Sequence, residues 1–407
     1  MVSISTIRRM IVWRDVAPSI LLVFNSFVWY ILTYYIGFSA IVNELELLET
    51  EKLSLFITYF VGIATSAILG SKFFPSARVK FLGLWIFMGG TATYLLIVAS
   101  NNGMLANLLS ALFLGVSIGI GLPSCLSYFA DSTCIENRGS VGGITWSFVG
   151  FTVLFFAFLM NSLALWEVIT ALTIWRFFGG FSFLSLTRQH KKFDVEKSPS
   201  YPELICKREI LLYLFPWVIF SLINFAETPL LERVFGAEFF TFVGLVEFAF
   251  IGIFAIVGGV IADAAGRKRV VITGFVMVGI EYAALSVFYS SPVSLYLFMV
   301  LDGITWGLFF SVFFMAVWGD LGKGYEKEKF YALGGLPFLL ANFISILISP
   351  YASAIPPTAA FSFASFFLFL AVIPLMYAPE TLPEKKIKER ELKDYIEKAK
   401  KIKEKYP

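Results

Sequence analysis

Residues 259–269 read GVIADAAGRKR, and this stretch decides the fold class. It lies between two almost wholly apolar runs, residues 239–257 and 270–290. A short turn with Asp263, Gly266 and three consecutive cations therefore joins two helices of membrane-spanning length. Glycine lets the two helix ends approach closely, so the carboxylate at the end of one span faces the cations at the start of the next. We interpret this arrangement as an ionic latch at a membrane surface.

The composition places the chain among integral membrane proteins. Of the 407 residues, 58% are hydrophobic and only 15% are charged, whereas a soluble domain has about 25% charged residues. Soluble enzymes are thereby excluded. The three cysteines show no metal-ligand spacing, and we expect no metal and no cofactor.

The apolar runs predict an all-α polytopic fold with twelve transmembrane helices. A bilayer core of roughly 30 Å needs about 20 apolar residues per helix, and continuous runs without alternation favour helices over a barrel. The predicted spans are residues 17–38, 53–73, 80–100, 104–130, 140–161, 163–187, 209–231, 239–262, 270–290, 293–318, 330–350 and 357–378.

The distribution of cations predicts the orientation. Nearly all of the 32 Lys and Arg residues fall in the termini and loops of one side, whereas only Lys52 and Arg233 fall on the other and Arg176 lies within a span. The positive-inside rule therefore predicts that both termini are cytoplasmic and that the protein lies in the cytoplasmic membrane. Because the cations mark a membrane face, the net charge of +3 does not indicate nucleic-acid binding.

A polar linker, residues 189–208, separates two predicted six-helix bundles, residues 1–188 and 209–378, and a charged cytoplasmic tail, residues 379–407, follows. The two bundles resemble each other in sequence, which indicates a repeated unit. One constant offset in residue number, the repeat offset, aligns Gly70 with Gly259, Arg78 with Arg267, Asp131 with Asp320 and Arg138 with Lys327.

The loop at residues 259–268 resembles the signature of the major facilitator superfamily, G-x-x-x-D-x-x-G-R/K-R/K. Gly259, Asp263, Gly266, Arg267 and Lys268 match it in the C-terminal bundle. The resemblance implies two parallel six-helix bundles that rock about a central site, so that each side opens in turn.

The N-terminal copy of this signature departs from the family pattern. Gly70 and Arg78 match, but Phe74 stands at the position of the aspartate and Ala77 at that of the second glycine. The resemblance therefore implies a complete latch only in the C-terminal bundle.

A second pattern resembles loops of sugar-porter-like members of the family. An acid precedes a cation by seven positions in Asp131/Arg138 and again in Asp320/Lys327, and the Pro-Glu-Thr of residues 379–381 resembles a sugar-porter ending.

The family resemblance implies a role for the loop charges. Asp263, Arg267 and Lys268 would pair with Asp320, Lys327 and nearby helix ends to hold the cytoplasmic side shut; in the alternative, the cations only fix the topology. The candidate latch residues are Gly259, Asp263, Gly266, Arg267, Lys268, Asp320, Lys327, Asp131 and Arg138.

Ionisable groups within spans are costly and indicate function. Family architecture ranks Asp302 first and Glu247 second as cavity residues, with Glu227 as an outer-gate candidate. Burial of a carboxylate away from cations favours its protonated form, so Asp302 and Glu247 are candidates for proton coupling; alternatively, they bind a cationic substrate or are simply hydrogen-bonded in the bundle. Structural pairing, or a water pocket, is expected for Glu281, Glu167 and Arg176.

Neutral polar and aromatic groups within the spans suit a sugar or another polar solute, although packing and lipid contact are the alternatives for each. The candidate substrate contacts are Asn25, Tyr30, Tyr128, Trp146, Trp306 and Asn342.

The sequence thus predicts a monomeric secondary transporter, not an enzyme, that moves a small sugar-like or polar metabolite by alternating access with proton coupling. Its expected partners are the small-molecule substrate, protons and membrane lipids. Export of hydrophobic or cationic compounds is the main alternative. A membrane enzyme acting on lipid-linked substrates and a non-transporting sensor are alternatives of other classes.

Overall fold

The computed structural model describes residues 11–73, 75, 78–183 and 196–383, and the regular structure in these ranges is helical apart from one isolated bridge between Glu196 and Tyr325. A short helix, Tyr201–Cys206, precedes the second half. The long helices are α1 Trp13–Glu44, α2 Glu49–Phe73, α3 Arg78–Ser100, α4 Gly103–Ser132, α5 Arg138–Met160, α6 Leu165–Phe178, α7 Arg208–Phe235, α8 Ala237–Ala265, α9 Arg267–Phe288, α10 Pro292–Leu321, α11 Glu328–Ala354 and α12 Pro357–Tyr377.

The all-helical prediction is confirmed. Within the described ranges, 11 helices are long and apolar enough to cross a membrane. Of the twelve long helices, α6 alone does not meet this criterion within the described ranges. It has 14 residues and continues into a 3₁₀ turn, Gly179–Phe181. The end of the predicted sixth span, the first part of the predicted linker and most of the predicted tail lie outside the described residues.

Two loops are shorter than the sequence indicates. The loop expected at residues 39–52 is reduced to residues 45–48, because α1 continues through a π-helical segment, Thr33–Phe38, and buries Ile41 and Val42. The turn after α8 is Gly266 alone, whose φ of 104° is open to glycine but strained for other residues.

The N-terminal half is α1–α6 and the C-terminal half is α7–α12. In each half the second helix packs against the fourth. In the N-terminal half α2 packs against α4, and in the C-terminal half α8 packs against α10. The halves meet where α5 packs against α8 and where α2 packs against α11. In addition, α10 contacts α5, and α11 contacts α4. These contacts place the loops that carry the signature residues side by side.

Glycines allow the closest approach between the halves, along α5 and α8. A Cβ atom on Gly139 would lie 2.8 Å from both the Gly259 carbonyl oxygen and an Asp263 carboxylate oxygen. No side chain fits at this distance, so glycine at position 139 brings the end of α8 against the start of α5.

Candidate functional site

The loops and helix ends at residues 71–73, 78–80, 131–139, 196–208, 263–269 and 319–329 form one end of the bundle, which we call the charged face. Its ion pairs fall into two clusters, one centred on Arg267 and the other on Arg78. Both arginines start a helix directly after a signature loop.

The first cluster, the Arg267 latch, is built around a fully buried guanidinium. Arg267 pairs with Asp263 at 2.8 Å and with Asp320 at 3.2 Å. Asp320 also pairs with Arg138 of the other half. Arg267 further donates to the Ile135 carbonyl oxygen at 2.5 Å. Asp320 therefore joins cations from both halves.

Asp263 also caps a helix of the opposite half. Its carboxylate accepts hydrogen bonds from the backbone amides of Gly139 at 3.0 Å and Ser140 at 2.6 Å, at the start of α5. A carboxylate at this position satisfies amides that have no partner within the helix and interacts favourably with the helix dipole. Asp263 lies in the last turn of α8 rather than in a loop, because only Gly266 forms the turn.

The second cluster, the Arg78 latch, has its own carboxylates. Arg78 pairs with Asp131 at 2.6 Å and with Glu328 of the other half at 2.5 Å. Lys327 of the other half pairs with Asp131 as well. The sequence grouped Lys327 with the partners of Asp263, Arg267 and Lys268; the structure pairs Lys327 with Asp131 because the α10–α11 loop meets the end of α4.

The two latches are related by the repeat offset. In each, an arginine and an aspartate from one half meet a cation from the other half, so the repeat aligns contacts as well as sequence. The equivalent sets are Arg267, Asp320 and Arg138 in one latch and Arg78, Asp131 and Lys327 in the other.

Lys268 stays within its own half. Its ammonium donates to the Met376 carbonyl oxygen at 2.6 Å, and Glu380 accepts the backbone amides of Arg267 and Lys268. Thr381 donates to Asp320 at 3.2 Å. The Pro-Glu-Thr segment, noted in the sequence only as a resemblance, therefore caps α9 and contacts the Arg267 latch.

The linker crosses the charged face. The Glu196 backbone pairs with that of residues 324 and 326, and Lys329 donates to the carbonyl oxygens of Ser198 and Pro199. On the N-terminal half, the hydroxyls of Tyr201 and Ser71 are hydrogen-bonded at 2.5 Å. The linker thus touches both halves where the latches hold them together.

Away from the charged face, acidic side chains gather inside the C-terminal half. Glu247 on α8, Asp302 on α10 and Glu281 on α9 are electrostatic neighbours of one another. Asp302 and Glu281 are buried. Within the described ranges none of the three forms an ion pair with a cation, and both Glu281 oxygens lack a hydrogen-bond partner.

A polar contact between the halves lies beside this acidic group. Tyr35 of α1 donates to the Asn342 side chain of α11 at 3.0 Å. Asn342 also interacts with the hydroxyl of Tyr30, and Glu247 is an electrostatic neighbour of Tyr35. The Tyr35 side chain, which is 51% exposed, was not singled out from the sequence, where it is one of 17 tyrosines.

Aromatic rings of α5, α10 and α11 pack against one another between the halves. Trp146 of α5 stacks on Phe310 of α10, with ring centroids 3.7 Å apart. The ring centroid of Trp306, one turn after Asp302, lies 4.8 Å from that of Phe310 and 5.7 Å from that of Phe338. The structure therefore brings two of the predicted contacts, Trp146 and Trp306, into one aromatic cluster beside Asp302.

Three other candidates are not part of this aromatic cluster. Asn25 faces α6, where its amide donates to the Trp175 carbonyl oxygen at 2.6 Å and accepts from Arg176 at 3.1 Å. Tyr128 lies near Arg78, toward the charged face. Glu227 on α7 has one buried oxygen without a partner among the described residues.

Arg176 lies between two tryptophans in the N-terminal half. Its guanidinium is 4.3 Å from the Trp29 ring and 4.2 Å from the Trp85 ring, and it donates to Ser26 at 2.9 Å. It is fully buried and pairs with no carboxylate in the described part of the chain. The guanidinium therefore joins α1, α3 and α6 by cation–π and hydrogen-bond contacts.

The family model of the Major Facilitator Superfamily matches residues 210–405. The predicted resemblance to the major facilitator superfamily is confirmed. Solved structures show the same fold over about nine tenths of the chain. The human organic anion transporter MFSD10 (TETRAN) is 15% identical, with a TM-score of 0.63 over 89% of this chain and 99% of that one.

Two further structures share the fold. A bacterial homologue of the iron transporter ferroportin, in an outward-facing state, is 12% identical, with a TM-score of 0.68 over 89% of this chain and 96% of that one. The major facilitator proton:xylose symporter XylE, bound to 6-bromo-6-deoxy-D-glucose, is 12% identical, with a TM-score of 0.62 over 93% and 97%. No curated protein has a matching sequence.

Proposed function

We propose that this protein is a secondary transporter that moves a small organic solute across the cytoplasmic membrane by alternating access. In this proposal twelve helices cross the membrane as two six-helix units, residues 1–188 and 209–378, with both termini in the cytoplasm. The major facilitator fold and the concentration of cations on one side support this topology. The protein acts as a monomer and does not catalyse a covalent reaction.

The observation that carries the proposal is the pair of equivalent latches at the charged face. Each contains ion pairs within one half and an ion pair between the halves. An exposed ion pair contributes about 0–1 kcal/mol, whereas removing one partner of a buried pair costs about 3–5 kcal/mol. Because the groups are largely buried, the latches can hold the charged face shut and must separate when it opens.

Proton coupling is proposed for the carboxyl pair of Glu247 and Asp302. Two neighbouring carboxyl groups that no described cation pairs with repel each other when both are ionised, so a proton held by one of them relieves the repulsion. The pair is next to Tyr35 and Asn342, which contact each other between the halves. Movement of the halves can therefore change the access of water to this proton.

A small solute with hydrogen-bonding groups fits the Tyr30, Tyr35 and Asn342 contact, which favours a sugar-like or other polar metabolite. A second substrate class, hydrophobic cations, is favoured by a different observation: Trp146, Trp306 and Phe310 form an aromatic cluster next to an acidic pair. Aromatic faces and carboxylates both attract organic cations.

A binding screen followed by flux measurement tests the proposal. The purified protein is heated with a panel of sugars, polar metabolites and organic amines at two pH values, because a ligand of the folded state raises the melting temperature. Hits are then tested as radiolabelled solutes in proteoliposomes with and without a proton gradient. Flux supports a transporter; binding without flux would indicate a sensor, and product formation an enzyme.

A further inference from the structure

We propose that Glu328 replaces, from the opposite half of the protein, the aspartate that the N-terminal signature loop lacks. Glu328 is then a positioning residue of the charged face. The inference rests on the proposed alternating access, and it concerns a residue that the loop signature does not include.

The position of Glu328 supports this replacement. Glu328 is the first residue of α11, its side chain is fully buried, and one of its oxygens accepts from Arg78 Nε at 2.6 Å while pairing with Nη2 at 2.5 Å. Arg78 is the first residue of α3, as Arg267 is the first residue of α9. In both latches the starting arginine therefore has two carboxylate partners.

A comparison of the two repeats shows that the second carboxylate partner of the arginine comes from a different position in each latch. The repeat offset aligns Asp263 with Phe74, whose side chain carries no charge, and aligns Glu328 with Gly139. Gly139 is the residue whose amide Asp263 caps, and a side chain at Gly139 would collide with that carboxylate. In the Arg267 latch the acid is Asp263 on α8, which faces Gly139 on α5. In the Arg78 latch the acid is Glu328 at the start of α11, the position that is equivalent to Gly139.

Both carboxylates occupy the same electrostatic position. Asp263 lies at the N-terminus of α5, and Glu328 is the first residue of α11. A helix N-terminus stabilises a carboxylate in either case. Both latches thus combine an arginine, a carboxylate and the start of a helix. In the Arg267 latch the carboxylate belongs to the same half as the arginine, whereas in the Arg78 latch it belongs to the opposite half.

The exchange makes the two latches open differently. Asp263 and Arg267 belong to one half and stay paired when the halves separate, so only neutral backbone hydrogen bonds to Asp263 are broken. Arg78 and Glu328 belong to different halves, so opening must separate two buried opposite charges. Each latch also has another ion pair between the halves, Arg138 with Asp320 or Lys327 with Asp131. The Arg78 latch therefore has one more buried ion pair to separate on opening, and Glu328 supplies it.

The test measures opening of the charged face by cysteine labelling. Cys125, Cys134 and Cys206 are replaced by serine, and the reporter Ala130→Cys is introduced. Ala130 is 1% exposed, and its Cβ lies 3.0 Å from the place that a Cβ on Gly319 of the other half would occupy. The rate of labelling by a hydrophilic maleimide is measured on the purified protein without substrate.

We expect Glu328→Gln to raise the labelling rate about tenfold, which corresponds to a shift of one order of magnitude in the open population. The matched control Glu326→Gln, two residues earlier and without an ion pair among the described residues, should leave the rate unchanged. Adding Phe74→Asp to Glu328→Gln should return the rate toward that of the parent, since an acid is then restored to the signature.

Equal rates in Glu328→Gln and the control would overturn the proposal, and so would failure of Phe74→Asp to restore a slow rate. If Glu328→Gln alone does not give monodisperse protein, recovery of monodisperse protein by the double variant tests the same replacement, and no recovery overturns it. Because no solute is used, absence of transport activity would contradict the proposed function without affecting this result.

Discussion

Asp263 of α8 accepts a 2.6 Å hydrogen bond from the backbone amide of Ser140 at the start of α5, in the other half of the protein. The same carboxylate pairs with Arg267 at 2.8 Å within its own half. One side chain therefore connects the signature arginine to a helix across the interface. This connection forms only while α5 and α8 are in contact at the charged face.

Substitution Asp263→Asn should favour the open charged face and slow transport. The amide retains an acceptor, but the charge opposite buried Arg267 is lost and the amide hydrogens face the donors at the start of α5. We expect faster labelling of an Ala130→Cys reporter and reduced flux, with membrane insertion and ligand-induced thermal shift retained. Exposed Glu209→Gln is the control. Unchanged labelling and normal turnover would exclude a latch function for Asp263.

Asp320→Asn should be the most destabilising neutralisation at the charged face. Asp320 is fully buried and pairs with both Arg138 and Arg267, so its loss leaves two buried cations short of a counter-charge. The expected loss of stability is roughly 3–5 kcal/mol, measured as a lower midpoint of thermal or denaturant unfolding in detergent. Glu49→Gln, which removes an ion pair with an 89% exposed carboxylate, should change little. Similar losses for both variants would contradict this assignment.

Gly259→Ala should separate α5 from α8. A Cβ atom at this position would overlap the Gly139 carbonyl oxygen, which is backbone and cannot rotate away. Overpacking of this kind costs about 1–3 kcal/mol, and here it should also speed labelling of the charged-face reporter. The matched control is Gly244→Ala in the same helix, where an added Cβ meets nothing within 4 Å. If both variants behave alike, close approach at Gly259 is unimportant for closure.

The sequence predicts the helices and the charged face because both depend on local composition. Long apolar runs require helices in a membrane, and the cations collect in the loops at one end. The internal repeat also predicts that Arg78 and Arg267 occupy equivalent places, and their ion pairs are equivalent. These features need no knowledge of which helices are neighbours.

The partners of individual charges could not be predicted in the same way. Lys327 pairs with Asp131 and Glu328 with Arg78 because α11 lies beside α2 and α4, and that adjacency is a property of the assembled halves. One sequence signal does point to Glu328. The offset that leaves Phe74 without an acid also places Glu328 opposite Gly139, and such exchanges are visible only when both repeats are compared.

Arg176→Lys should destabilise the N-terminal half although the charge is kept. The planar guanidinium lies between Trp29 and Trp85 and donates to Asn25 and Ser26, whereas an ammonium cannot stack on two rings and reach both acceptors. Cation–π contacts of desolvated groups are worth about 2 kcal/mol or more. A lower melting temperature than for exposed Arg208→Lys is expected. Equal melting temperatures would show that the stacked geometry contributes nothing.

Asp302→Asn and Glu247→Gln should separate solute movement from the proton gradient. An amide cannot release a proton, so each variant should lose gradient-driven accumulation and much of the pH dependence of uptake, while exchange of labelled for unlabelled solute continues. Both processes can be followed in the same proteoliposomes. Glu232→Gln, an exposed carboxylate of α7 in the same half, should retain both. If wild-type uptake does not depend on pH, or Asp302→Asn accumulates solute normally, the carboxyl pair does not couple transport to protons.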